Sequence, residues 1–290
     1  MAFQHPYIRI GGLTPEKLDE SKGWPEGEFR VVLDEKQGCS STMFHQILAP
    51  NAVHHRHRLD NCDEQYYILS GHGLAGAGPD RVEVHPGHYH LIPKGVEHWL
   101  VNLSRNDPLI IIGLYDRAPS LGATGCVHLG GVTEEDMNAS RTLDTGRLQY
   151  PLVHQDAVPM VKVSKDEGWT QDYFCEPLNR SHGAGSCWML GYFGPHTVHM
   201  KHRHDRCEEI CYILKGRGLA GVGADRGELV EGDVHYIPAG CEHWLANLSD
   251  IEDLVAPGWY IGVGGLDESG FAYNGPVTEE DINAPRTGKL

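Results

Sequence analysis

The chain has 290 residues, 40% hydrophobic and 22% charged, with a net charge of −16 at pH 7. That acidity, with no basic stripe to offset it, argues against nucleic acid or an anionic membrane surface as partner. No run of 18 apolar residues is present to span a bilayer, and the opening MAFQHPYIRIGG lacks the pattern of a secretory signal.

A cytoplasmic location with reduced cysteines is therefore expected. In chain order, Thr14, Pro15 and Glu16 read as a helix start, with proline at the first helical position. The stretch HHRHRLDNCDE (54–64) follows as a histidine-rich strand and bend. YILSGHGLAGAGPDR (67–81) and HLIPKGVEHWLVNLS (90–104) read as short strands cut by glycine and proline. TEED (133–136) resembles a capping box opening a short helix.

The same series then recurs. A shift of 145 residues pairs 53–104 with 198–249, with 31 identities in 52 ungapped positions. The shift also pairs Gly23-Trp24 with Gly168-Trp169 and TEED at 133 with TEED at 278. So long a period means two domains rather than a solenoid. The break is expected near DTGRLQYP (144–151), giving domains 1–147 and 148–290. Many short strands with Gly/Pro turns, and helices only at the periphery, predict an all-β sandwich or barrel in each.

The second copy carries HMKHRHDRCEE (199–209). Strict alternation along a strand puts His202 and His204 on one face, with Met200 beside them and His199 turned away. Glu209 returns on the next strand, with Cys211 on its face, and His243 arrives from a third. Three imidazoles and one carboxylate can hold a divalent transition metal and leave positions open. In the first copy His57, Glu64 and His98 remain, but Leu59 stands where His204 does. By alternation His55 shares the face of His57, yet it lies roughly 13 Å along the strand from the missing position. His55, His57, Glu64 and His98 thus form at most a weak or shifted second site. Cys211 and His235 are candidates to stand behind the ligands. His54 is expected to face away from the site, and Trp99 and Trp244 to pack in cores or between domains. Arg81 and Arg226 are expected to pair with the adjacent Asp80 and Asp225.

These spacings resemble the cupin signature. The second copy gives His202-x-His204, four residues, Glu209, six residues, Gly216. It then gives Gly232, five residues, Pro238-x-Gly240, two residues, His243, three residues, Asn247. Gly87, Pro93, Gly95, His98 and Asn102 complete the latter motif in the first copy as well. One departure is Gly194, eight residues before His202 where the signature has six. The resemblance is to a bicupin. It implies two tandem antiparallel jelly-roll barrels, with His202, His204, Glu209 and His243 as ligands to one metal per chain. Fe(II) is the first expectation; Mn, Ni, Cu, Co and Zn suit the same donors. The function expected first is a dioxygenase acting on a small oxygenated organic molecule with O2. The alternatives are a non-redox lyase, isomerase or decarboxylase on a small acid or sugar, and a non-catalytic ligand-binding or storage-like bicupin. Barrels of this kind associate through β-edges, so a homodimer is expected.

Overall fold

The computed structural model describes residues 7–142, 145–163 and 173–287. Gly168 and Trp169, paired by the repeat with Gly23 and Trp24, lie outside the described residues. The chain divides into two compact units, Leu13–Ala157 and Val158–Leu290, the latter taking in Met1–Gly12, of which 7–12 are described.

In the unit Leu13–Ala157, two antiparallel sheets face each other. One has six strands in the order Leu152–His154, His88–Ile92, Glu64–Ser70, Leu109–Tyr115, Thr42–Leu48, Gly27–Leu33. The other has five, in the order Cys126–Gly130, Val53–Leu59, His98–Asn102, Gly73–Ala77, Asp80–Val84. Inward residues of both sheets make one core, including Phe29, Phe44, Ile68 and Ile111 from the first and Leu59, Ala75, Val84 and Leu100 from the second. Hydrophobic burial of this kind drives the closure.

The other unit repeats the plan. Its seven-stranded sheet runs Tyr7–Arg9, Asp233–Ile237, Glu208–Tyr212, Leu254–Ile261, Cys187–Phe193, Tyr173–Cys175, Val161–Lys162. Its five-stranded sheet runs Asp225–Val230, Arg217–Val222, His243–Asn247, Val198–His204, Phe271–Gly275. The expected all-β, double jelly-roll architecture is what the chain adopts. Sequence repeat and compact unit differ in extent at two places, the opening segment of each repeat. Strand Leu152–His154, which opens the second sequence repeat, pairs with His88–Ile92. Its partner under the 145-residue shift, Tyr7–Arg9, pairs with Asp233–Ile237. Ladder bonds outlast sequence adjacency there, and Arg9 adds a bidentate pair to Asp233 at 3.0 and 3.1 Å.

The helix expected at Thr14 does not form. Residues 14–19 carry no regular structure, and the Glu16 N–H donates to the Phe29 carbonyl at 2.7 Å, tying the segment to a strand edge. The two TEED segments do open helices, Glu134–Asn138 and Glu279–Asn283, each with a reciprocal capping box. These helices cover the outer face of each five-stranded sheet. Trp99 packs with Leu74, Val101, Val132 and Met137, and Trp244 with Leu219, Ala246, Val277 and Ile282. Gly76 and Gly221 allow it: a Cβ on either would lie 2.2 Å from the neighbouring indole. The Arg81 and Arg226 guanidiniums lie over the indoles of Trp99 and Trp244 at 5.0 and 5.2 Å. The sequence predicts that each arginine pairs with its neighbouring aspartate, and neither side-chain ion pair is of that kind. Each reaches the capping aspartate instead, Asp136 at 3.5 Å and Asp281 at 3.1 Å, while Asp80 accepts the Tyr150 N–H.

Among the described residues no helix is long and apolar enough to cross a membrane.

The cap generates a pH dependence. Burial works to raise the Asp136 carboxyl, but the Thr133 N–H and Arg56 overcome it and set it at about 2. The folded value is below the unfolded one, near 4. Its stabilisation is therefore complete above about pH 4 and is lost as pH falls toward about 2. Asp136→Asn is expected to lower the unfolding free energy by about 1–2 kcal/mol at pH 7. The gap to wild type, read from urea titrations, is expected to narrow below pH 4; a gap independent of pH would contradict the assignment.

Candidate metal centre

The four candidate ligand side chains come from both walls of the C-terminal unit. Strand Val198–His204 supplies His202 and His204, and His243 begins the neighbouring strand, paired directly with His202. Both belong to the five-stranded sheet, whereas Glu209 sits on Glu208–Tyr212 of the seven-stranded sheet. The four side chains meet between the sheets, with one ligand atom from each within 4.8 Å of the others. All are buried, at 1% (His202), 2% (His204), 7% (Glu209) and 3% (His243) exposure.

The rings are aimed by their outer nitrogens. His202 Nδ1 donates to the Met200 carbonyl at 2.7 Å and His243 Nδ1 to the Cys241 carbonyl at 3.0 Å. A carbonyl can only accept, which fixes the proton on Nδ1 and leaves Nε2 as the inward atom. His204 Nδ1 lies 3.0 Å from Ser269 Oγ. Glu209 Oε2 is 2.9 Å from His243 Nε2 and 3.2 Å from His204 Nε2. Burial works to raise the Glu209 carboxyl, but His243 and His204 hold it well below the ordinary value, so it is ionised. At such distances either a proton or a cation can be shared between the imidazole nitrogens and the carboxylate oxygen. The donor set of three imidazole nitrogens and one carboxylate fits a divalent transition ion.

Strict alternation fails at one point in each copy. The pairing register shifts between His199 and His202, and likewise between His54 and His57. A bulge adds one residue, so residues three apart come to share a face. His199 is therefore inside, its ring stacked on His202 at 4.0 Å, and His54 stacks on His57 at 4.2 Å. Both had been expected to point away. The same bulge turns Met200 and His55 outward: Met200 Sδ accepts the Val277 N–H and His55 Nδ1 the Val132 N–H. The two contacts are related by the 145-residue shift, so His55 fills the structural role of Met200.

In the first copy the structure brings together His57, Glu64 and His98, with ligand atoms within 4.8 Å, and not His55. His98 Nε2 lies 2.9 Å from Glu64 Oε2, and His57 Nε2 lies 4.0 Å from it. Leu59, 3% exposed, belongs to the surrounding apolar core. Thr124 holds the position of Ser269 but turns its hydroxyl to the Leu121 carbonyl. Tyr66 and His90 occupy the positions of Cys211 and His235 and bond each other at 2.7 Å.

Beside the four-residue cluster is a cavity walled by Phe174, Met189, Phe193 and Leu245, with His199, Cys211 and His235 on its surface. Cys211 and His235 both line this cavity. Burial, then Glu209, pushes the Cys211 thiol well up, so it stays protonated. His235 stacks on Tyr7 at 4.9 Å. Sequence reasoning missed Tyr260 and Phe271, whose rings lie 4.9 and 5.8 Å from that of His204. Tyr260 had a signal, since Tyr115 stands at the same place in the first copy.

Burial holds His54, His90, His199 and His235 neutral, each near a value of about 3. In the unfolded chain such groups titrate near 6.5. Their contribution is therefore complete above about pH 6.5 and is lost progressively as pH falls toward about 3, because the unfolded chain takes up protons that the folded rings refuse. The urea midpoint of metal-free protein is expected to fall steadily from pH 7 to 5, a range in which most carboxylates do not titrate. A level midpoint across that range would contradict the burial of these rings.

The cupin-domain family model matches residues 44–115 and 189–256. Among solved structures, the chain is similar to an oxalate decarboxylase of Bacillus subtilis described with Mn(II) centres. The TM-score is 0.69 at 13% identity, over 94% of this chain and 80% of that one. It is also similar to the formate complex of the Lactobacillus farciminis oxalate decarboxylase, with TM-score 0.67 at 12% identity, over 92% and 88%. These likenesses concern the fold. Among curated proteins, an uncharacterized protein of Methanocaldococcus jannaschii, MJ1618, is 40% identical over 50 residues; the match covers 17% of this chain and 40% of that protein. Two family matches, one in each jelly roll, with the strands that carry His202, His204, Glu209 and His243 inside the second, make this chain a bicupin of the cupin superfamily.

Proposed function

We propose that the chain is a metal-dependent enzyme with its working centre at His202, His204, Glu209 and His243, acting on a small oxygen-bearing organic molecule by non-redox lyase or decarboxylase chemistry. The observation that carries the reading is the convergence of three imidazoles and one ionised carboxylate within 4.8 Å. The fold likeness to oxalate decarboxylases supports lyase chemistry over oxygen chemistry. A bound divalent ion would supply Lewis-acid polarisation of a chelated carbonyl or carboxylate.

The chain's own residues divide the remaining work. The carbonyls of Met200 and Cys241 keep the His202 and His243 rings from rotating, so the centre is organised before substrate arrives. Phe174, Met189, Phe193 and Leu245 keep water from the cavity. His235 and Cys211 present weak hydrogen-bonding groups that carry no charge at neutral pH. No Lys or Arg is in the described lining, so charge compensation for an anionic substrate falls to the centre itself. That favours a substrate carrying one carboxylate or a hydroxycarbonyl group.

An oxygen-dependent reading has one observation in its favour. Three imidazoles and one carboxylate also suit Fe(II), the ion a dioxygenase would use. Turnover measured in air and under nitrogen separates the two. Equal rates are expected; strict dependence on oxygen would replace the lyase reading with the dioxygenase one.

His204→Leu tests the centre itself. The first copy already buries Leu59 at the corresponding position, so the fold is expected to accept the change with its circular dichroism intact. Affinity for Mn(II) is expected to fall by about 100-fold or more, and turnover with it. Retention of both would move the working centre elsewhere.

A further inference from the structure

The hairpin formed by Gly73–Ala77 and Asp80–Val84 opens onto histidines that the buried centre does not use. Its register pairs Gly73 with Val84 and Leu74 with Glu83. One rung further, His72 stands across from His85. Glu83, two residues from His85, shares their face of the hairpin. The side chains meet accordingly. His72 Nε2 lies 3.0 Å from Glu83 Oε2, and the His72 and His85 rings stack at 4.4 Å with 14° between their planes. One ligand atom from each of the three lies within 4.8 Å of the others. Two further imidazoles continue the patch: His88 is 6.0 Å from His85, and His154 is 4.9 Å from His88.

The duplication supplies an internal control. Under the 145-residue shift, His72, Glu83, His85, His88 and His154 become Arg217, Glu228, Val230, Asp233 and Arg9. The backbone register is the same there, with Arg217 opposite Val230 and Leu219 opposite Glu228. Yet that surface holds no histidine at these positions: Arg9 pairs with Asp233, and Val230 is 42% exposed. The fold therefore does not require imidazoles at this hairpin end. Only the glutamate is common to both copies, and the first copy adds histidine at the two positions that complete a ligand set.

We infer that His72, Glu83 and His85 form a surface site for a divalent transition ion of the Zn(II), Ni(II) or Cu(II) class, separate from the buried centre. Two imidazole nitrogens and one carboxylate oxygen are the donors such ions prefer, and exposure leaves the remaining positions to water. Arg141 Nε, 3.9 Å from Glu83 Oε1, attends the oxygen that faces away from His72, so Oε2 is the one for the ion. An ion there clips the two strands at the end of the hairpin where ladder pairing stops.

The test is calorimetric titration of the full chain with Zn(II). His72→Arg with His85→Val writes the second copy's residues into the first, where the same backbone already carries them in its counterpart. The double variant is expected to lose one class of binding, weakened at least tenfold, and to retain the buried class. Glu83→Gln, which keeps shape and removes the anion, is expected to weaken the same class. In His204→Leu the surface class is expected to persist while the buried class is lost, so failure of one site is distinguishable from failure of the other. An unchanged isotherm for the double variant, or binding no tighter than about 1 mM in His204→Leu, would overturn the inference.

Discussion

A carboxylate buried between two β-sheets is the constraint on which the C-terminal unit turns. Glu209 reaches across from one sheet to imidazoles on the other, at 2.9 and 3.2 Å. Desolvation penalises its charge, and the facing His243 and His204 imidazoles offset that penalty. The backbone is arranged to keep them in place. His202 and His243 each spend Nδ1 on the carbonyl two residues back, so strand geometry sets ring orientation. The bulge before His202 then brings a further imidazole, His199, against the His202 ring and turns Met200 and Lys201 out to the helix-capping segment, at Val277 and Asp281.

The two copies show what that arrangement needs. The first copy keeps the bulge, the stacked His54, the His57 ring and its backbone carbonyl, and the Glu64–His98 pair. It lacks one imidazole, and positions around that one differ as well. Leu59 joins the apolar core, Thr124 turns to a local carbonyl, and Tyr66 and His90 satisfy each other. The result is a packed interior with a residual three-residue cluster. Leucine in place of the imidazole is compatible with the fold because each unit is held by its own sheet cores and capped helix.

Much of this was legible in the sequence because the repeat doubled every signal. The Gly/Pro turns, the TEED boxes and the His202, His204, Glu209 and His243 spacing depend on local chain chemistry, and local chemistry survives folding. What was not legible depended on breaks in regular pattern. Alternation along HMKHRHD misplaced His199 and Met200 because a bulge is a property of the pairing with His243–Asn247, not of the strand alone. The same error put His55 beside His57. Thr14-Pro15 carried a valid helix-start signal, but edge bonding to Phe29 prevailed over propensity. Arg81 and Arg226 were given their nearest aspartates in sequence, when capping aspartates 55 residues away in the chain were nearer in space. The strand opening each repeat offered no sequence cue to which sheet it would join.

The most direct test of the centre is the position of the metal. Protein crystallised with Mn(II) and measured at the metal's absorption edge is expected to show an anomalous peak about 2.0–2.2 Å from His202 Nε2, His204 Nε2, His243 Nε2 and a Glu209 oxygen. A peak beside His57, Glu64 and His98 alone, or none at either cluster, would contradict the account.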